Sequence, residues 1–292
     1  MRRTAFLGGS VSSIFFASAG RPVLTASGLR ELEIHAGGRL GVAALDLGSG
    51  ATLVNRPDWR FPMCSTFKFL AASAVLAKVD RGLERLDRHI AYSRTDLVGH
   101  SPVTEQHVAE GFLALGTLCE AAMTQSDNGA ANLILRSLHG PGGVTRYARS
   151  IGDANTRLDR MEPELNDSVP GHARDTTTPR SMATNLRRIV LGAALSPAAQ
   201  GRLQTWMLAS QTGLTLLRAG VPPTWRVADK SGMGGALNAH GDNDTRNDIA
   251  LLRVPNRAPI VIAAYLTRST LAASDRDAVL AAVARVVRDH FT

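Results

Sequence analysis

The chain has 292 residues, 44% of them hydrophobic and 20% charged, a composition that suits a folded globular protein of one large domain or two intimate ones. Its net charge of +8 does not read as nucleic-acid binding. The arginines are scattered in runs no longer than Arg187-Arg188, and the aromatics that would serve as stacking platforms make up only 5%.

The first 19 residues stand apart. "MRRTAFLGGSVSSIFFASAG" has a basic start at Arg2 and Arg3, a short, weakly apolar core, and a small-x-small site at Ala17-Ser18-Ala19. That is the pattern of an export signal cleaved near Gly20, and the paired arginines leave the Sec and twin-arginine routes both open. No later apolar run is long enough to span a membrane. The mature chain is expected in the periplasm or outside the cell, free of the membrane. In that compartment Cys64 and Cys119 could pair, but both lie in apolar helical patterns that suit buried thiols.

"RLGVAALDL" and "ATLVNR" flank Gly48-Ser49-Gly50 and read as a β-hairpin. From about Phe61 to Gln211 apolar residues recur every three or four positions. This predicts helices in "FKFLAASAVLAKV", "LGTLCEAAMTQ", "GAANLILRSL", "GVTRYARSI", "TPRSMATNLRRIVL" and "AAQGRLQTWML". After "RAGVPPTW" come three strands, "RVADKSG", "DIALLRV" and "PIVIAAYL", and then an amphipathic helix, "RDAVLAAVARVVRDHF". Strands thus bracket a helical block. The fold class expected is α+β: one antiparallel sheet flanked by terminal helices, plus an all-helical lobe. The boundaries expected are 1–19 for the signal, 20–60 with 212–292 for a discontinuous α/β lobe, and 61–211 for the helical lobe. A cleft between two lobes is a common place for a small-molecule site.

Three of the 33 basic residues are lysines, Lys68, Lys78 and Lys230; the rest are arginine. A lysine in such a chain suggests a task arginine cannot do, such as losing its proton near neutral pH. Lys68 lies three residues after Ser65 in the apolar "FPMCSTFKFLAASAVL". Residues i and i+3 share a helix face, and a lysine made less basic by burial could take the serine proton. Ser126-Asp127-Asn128 follows the second helix and reads, by itself, as a turn and helix cap. Lys230-Ser231-Gly232 sits on a predicted strand, where the lysine and serine could hold a carboxylate and the glycine admits a close ligand.

Taken in order, S-x-x-K, S-D-N and K-S-G form the signature of the class A β-lactamases and penicillin-binding proteins, with serine for the usual threonine in the last. The sequence resembles that superfamily over nearly all of the mature chain. "LDRMEPELNDSVPGHARDTTTP" is similar to the omega loop of the class A branch, with the E-x-x-L-N pattern at Glu162, Leu165 and Asn166. The resemblance implies a β-lactamase/D,D-peptidase-like fold and hydrolysis of β-lactam antibiotics through a serine acyl-enzyme. It implies Ser65 as nucleophile, Lys68 and Glu162 in proton transfer, Ser126 as relay to the lactam nitrogen, and Glu162 with Asn166 on the deacylating water. Asn128, Lys230, Ser231, Gly232, Met233 and Arg246 would bind substrate. Backbone N–H groups of Ser65 and Met233 would form the oxyanion hole. The resemblance further implies a cis Glu162-Pro163 bond, an Arg160–Asp175 pair at the loop neck, and an Arg246 that faces Lys230.

No H-x-H or H-E-x-x-H cluster is present, so no metal or cofactor is expected, and the eight histidines read as structural or exposed. The partners expected are small β-lactams, with the enzyme a monomer. Two alternatives stand: a D,D-peptidase or penicillin-binding enzyme, which Glu162 argues against, and a non-catalytic β-lactam sensor. One departure from the family is "MGGALNAHGDND", several residues longer than the family pattern, which could add a wall to the cleft.

Overall fold

The computed structural model describes residues 26–167 and 171–292, and the predicted export signal lies outside the described residues. In chain order it has α1 (Ala26–His35), β1 (Arg39–Asp46), β2 (Thr52–Asn55), β3 (Phe61–Pro62), a 3₁₀ turn (Cys64–Thr66) and α2 (Phe67–Asp80). Next come β4 (His89–Ala91), α3 (Pro102–Gln106), β5 (Phe112–Ala114), α4 (Leu115–Thr124), α5 (Asn128–Ser137), α6 (Gly142–Ser150) and β6 (Thr176–Thr177). The chain finishes with α7 (Pro179–Val190), α8 (Pro197–Leu208), β7 (Arg226–Leu237), β8 (Asn243–Arg253), β9 (Ile260–Thr267) and α9 (Ala273–Phe291).

The main sheet is antiparallel, in the order β2-β1-β9-β8-β7. β1 pairs with β9 from Arg39↔Thr267 to Asp46↔Ile260, so the two ends of the chain share one sheet, as expected. Every residue of β9 is buried because both faces are covered. The period of two sorts its side chains. Val261, Ala263 and Tyr265 join the core under the helical block, while Ile260, Ile262, Ala264 and Leu266 join the core under α1 and α9.

The helices begin where the sequence supplies caps. Thr178 accepts from Ser181 N–H and Ser196 from Ala199 N–H, each followed by proline at the first helical position. Asp127 caps α5 through Ala130 N–H at 2.7 Å. α2 is buried continuously from Phe67 to Leu76, being packed among α4, α5, α6 and α8. An all-round apolar helix is the one a helical block places at its centre. Its N-terminal end opens toward β7, where the chemistry-bearing residues gather.

The long segment after Lys230-Ser231-Gly232 does not add a wall to the cleft. It extends the β7–β8 hairpin, with an irregular register between Gly234 and Leu237. Asn238 closes the tip, accepting from His240 N–H at 2.9 Å and Asp242 N–H at 3.2 Å and donating to Leu271 O at 2.7 Å. Asp242 accepts from Ala273 N–H at 2.9 Å, so the tip is fastened to the start of α9.

Candidate active site

Ser65 stands in the 3₁₀ turn that feeds α2, with Cys64 before it in a left-handed conformation at φ 44°. Strand β7 lies directly against this turn. A Cβ on Gly232 would come within 3.0 Å of Met63 O and 3.3 Å of Ser65 N, so glycine is what lets the strand approach Ser65. One residue pair along, a Cβ on Gly234 would meet Cys64 Sγ at 2.8 Å. Cys64 and Cys119 are both free and buried, and burial pushes both thiols well above the usual range.

Lys68 Nζ is the hub. It lies 2.9 Å from Ser65 Oγ, 2.7 Å from Ser126 O, 3.2 Å from Ser126 Oγ, 2.5 Å from Asn128 Oδ1 and 3.2 Å from Glu162 Oε1. Three ammonium protons cannot serve five oxygens at once; a neutral amine, with two protons and a lone pair, could accept from a serine hydroxyl. The side chain has no exposed surface. Burial pushes its pKa down, against the opposing pull of Glu162.

Glu162 is presented by a cis Glu162-Pro163 bond and held by a residue the sequence reading passed over. Asn132, on α5, donates from Nδ2 to Glu162 O and accepts at Oδ1 from Glu162 N–H, both at 2.9 Å. The Oε2 atom accepts from Asn166 Nδ2 at 2.5 Å. The buried Oε1 accepts no hydrogen bond, its contact with Lys68 being an ion pair off the hydrogen-bond line. The loop neck closes as expected: Asp175 accepts from Arg160 Nε at 2.6 Å and from the N–H groups of Asp159 and Arg160 at 2.8 and 3.0 Å.

Ser126, at φ 58°, presents its hydroxyl 3.2 Å from Lys68 Nζ and 3.1 Å from Lys230 Nζ. Burial and the neighbouring Lys68 push the Lys230 pKa down to about 7, with Asp229 and Asp248 pulling the other way. Those carboxyls lie behind it; burial pushes both up, and the charge of Asp229 adds to the rise at Asp248. Asp127, between Ser126 and Asn128, faces away from the cleft. It accepts from Val103 N–H and Thr104 N–H at 2.8 and 2.9 Å, so it is both the cap the sequence suggested and a tie between two loops.

These groups surround a cavity of about 290 Å³, with Ser65, Ser126, Asn128, Asn166, Ser231, Gly232, Met233 and Arg246 on its walls and Lys68, Glu162 and Lys230 behind them. All eleven residues singled out in the sequence therefore converge. The structure adds further detail at the cleft. Arg246 pairs in register with Met233, and Lys230 with Ile249; the Arg246 guanidinium is bound to Asp277 of α9, with Nε 2.7 Å from Oδ1. His100, read only as structural or exposed, lines the cavity, with Nε2 2.9 Å from Gln125 O. Thr212 lines it too, accepting from Ser231 Oγ at 2.7 Å. His100 and Thr212 lie outside any motif, so only position in the fold reveals them. Among the described residues no cluster of histidine, cysteine or acidic side chains could hold a metal ion. Nor, among them, is any helix long and apolar enough to cross a membrane.

The sequence matches the β-lactamase enzyme family over residues 25–291. The structure is similar to that of an ancestral (GNCA) class A β-lactamase, at 55% identity and a TM-score of 0.87, over 91% of this chain and 99% of that one. It is similar also to the W229D mutant of the class A β-lactamase of the last common ancestor of Gram-negative bacteria. There the identity is 55% and the TM-score 0.86, over 91% of this chain and 98% of the other.

Proposed function

This chain belongs to the class A β-lactamases, serine hydrolases that open the β-lactam ring, and we propose how its own residues divide that work. The observation that carries the assignment is the set of distances at Lys68 Nζ: 2.9 Å to Ser65 Oγ and 3.2 Å to both Ser126 Oγ and Glu162 Oε1.

Ser65 Oγ attacks the lactam carbonyl carbon. Its proton leaves to Lys68, or through a water to Glu162; the buried amine and the buried carboxylate both stand within reach. The oxyanion is held by the N–H groups of Ser65 and Met233; what supports this is the close approach of β7 to the Ser65 turn at Gly232, the residue before Met233. As the C–N bond breaks, Ser126 delivers a proton to the nitrogen and recovers one from Lys68. Lys230, Ser231 and Arg246 bind the substrate carboxylate, and Asn128 the side-chain amide. Where Glu162 took the Ser65 proton, it first passes that proton to Lys68, which Ser126 has left neutral. A water held by Glu162 and Asn166 then gives its proton to Glu162 and attacks the ester, and Ser65 leaves with that proton, returned from Glu162 through Lys68.

The mature enzyme is proposed to act as a monomer on small β-lactams in the periplasm or outside the cell, after removal of a signal at residues 1–19. Residues 20–60 with 212–292, and 61–211, are proposed as its two lobes. The support is that the terminal helices and the helical block cover opposite faces of the sheet through separate hydrophobic clusters.

The test is intact-protein mass after addition of a penicillin. Ser65→Ala should gain no mass, and Glu162→Ala should accumulate the acyl-enzyme. A Glu162→Ala variant that turns over at the parent rate would remove Glu162 from deacylation.

A further inference from the structure

A second cavity, of about 220 Å³, shares no lining residue with the catalytic cleft among the described residues. Five arginines face it: Arg39, Arg60, Arg160, Arg174 and Arg268, with Trp59 beside them. Two are already committed. Arg60 donates to Asn155 O at 2.8 Å and Thr176 Oγ1 at 3.1 Å, and Arg160 donates to Asp175 at 2.6 Å. The other three have no carboxylate partner among the described residues. Arg268 makes no hydrogen bond there, and Arg174 has only a 3.3 Å contact with His172 Nδ1. Arg39 extends from β1 over the Phe61 ring, and its buried Nε has no hydrogen-bond partner. The one acid among the described lining residues, Asp167, lies 3.7 Å from Arg160 and is mostly exposed.

Arg39 as a whole is half-buried, but an N–H sealed from water with no acceptor is costly, and like charges around it raise the cost. Burial, with the charges of Arg268 and Arg56, pushes the Arg39 pKa down. An anion in the cavity would relieve both costs. The volume is below the range for drug-sized ligands, which favours a small ion or a single head group. Guanidinium forks match tetrahedral oxyanions through paired N–H donors.

We propose that this cavity binds a phosphate group through Arg39, Arg174 and Arg268. The group is either free phosphate or the terminal monoester of a lipid head group. Because Arg160 joins the cavity wall to the neck of the loop that carries Glu162, the bound group would sit beneath that loop.

The experiment is calorimetric titration of the mature enzyme with inorganic phosphate at constant ionic strength, alongside co-sedimentation with phosphatidate or neutral phosphatidylcholine vesicles. Saturable phosphate binding that Arg39→Gln and Arg268→Gln each weaken tenfold or more is the expected result for a free ion. Retention on phosphatidate vesicles alone, lost in the same variants, identifies the lipid monoester. Both variants should keep parental β-lactam turnover, which shows that they fold. Phosphate held in the catalytic cleft by Lys230 and Arg246 would compete with substrate and ignore Arg268→Gln; that result overturns the proposal. So does the absence of both saturable heat up to about 10 mM phosphate and vesicle retention.

Discussion

Asn132 holds Glu162 by its main chain, not its carboxylate: the amide of one residue pairs with both the N–H and the C=O of the other. The carboxylate is thereby aimed while its own oxygens stay available to Lys68 and Asn166. Asn132→Leu would leave two buried main-chain groups unpaired, at about 1–3 kcal/mol each. The variant should melt at lower temperature and, where folded, acylate with penicillin but deacylate slowly. Burst kinetics with a parental steady-state rate would show that Asn132 does not position Glu162.

Lys230 gives a pH prediction. Its pKa is pushed down to about 7 by burial and by Lys68. As pH rises through that value the free enzyme loses the charge that attracts a substrate carboxylate, so kcat/KM should fall. A bound carboxylate favours the ammonium form, so the fall in kcat should come at higher pH. Arginine keeps its proton throughout, and Lys230→Arg should move the alkaline limb of kcat/KM upward even if its maximum is lower. Identical alkaline limbs in parent and variant would assign the titration elsewhere.

Asp277 gives a binding prediction. Its carboxylate holds the Arg246 guanidinium and also accepts from Thr215 Oγ1 at 2.6 Å. A guanidinium already paired has less to offer a substrate carboxylate. Asp277→Asn should keep the hydrogen bond, remove the charge, and lower KM for penicillins severalfold with kcat little changed, an effect of about 1 kcal/mol. A raised KM would mean that the ion pair matters for placing Arg246 more than for competing with substrate.

Much of this was legible in the sequence, for physical reasons. Period-three-to-four apolar spacing marks α6 and α7 because each has one buried face, whereas β9 and α2, covered on all sides, read as nearly unbroken apolar runs. Ser65, Lys68 and Lys230 are legible because a buried cation in an arginine-dominated chain calls for a chemical reason. Asn132, His100, Thr212 and Asp277 were not. Each has an ordinary local reading, as a helical amide, a loop residue or a surface charge. What makes each matter is a partner far away in sequence: Asn132 and Glu162 are 30 residues apart, and Arg246 and Asp277 are 31 apart. The hairpin extension was legible as extra length but not as direction, because the bonds from Asn238 and Asp242 to residues 269–273 decide where it points.

That direction bears on substrate range. With the extension fastened to α9, none of residues 235–244 lines the cleft, and the wall at this edge is Met233 itself. Met233 is 51% exposed and stands opposite Arg246 across the β7–β8 pair. Its thioether is a weak acceptor on a flexible stem, where a serine or threonine would offer a hydroxyl to the substrate carboxylate. The Met233 N–H, proposed above as an oxyanion donor, is unaffected by the side chain, so acylation of penicillins should be efficient. A substrate that relies on the missing hydroxyl should lose a charge-assisted hydrogen bond, worth about 1.5–3 kcal/mol, or roughly ten- to a hundredfold in kcat/KM. The expected order is penicillins and early cephalosporins above carbapenems, with Met233→Thr narrowing the gap from below. Steady-state kinetics on a penicillin, an oxyimino-cephalosporin and a carbapenem measure it. Equal kcat/KM on all three would show that this position does not set the range.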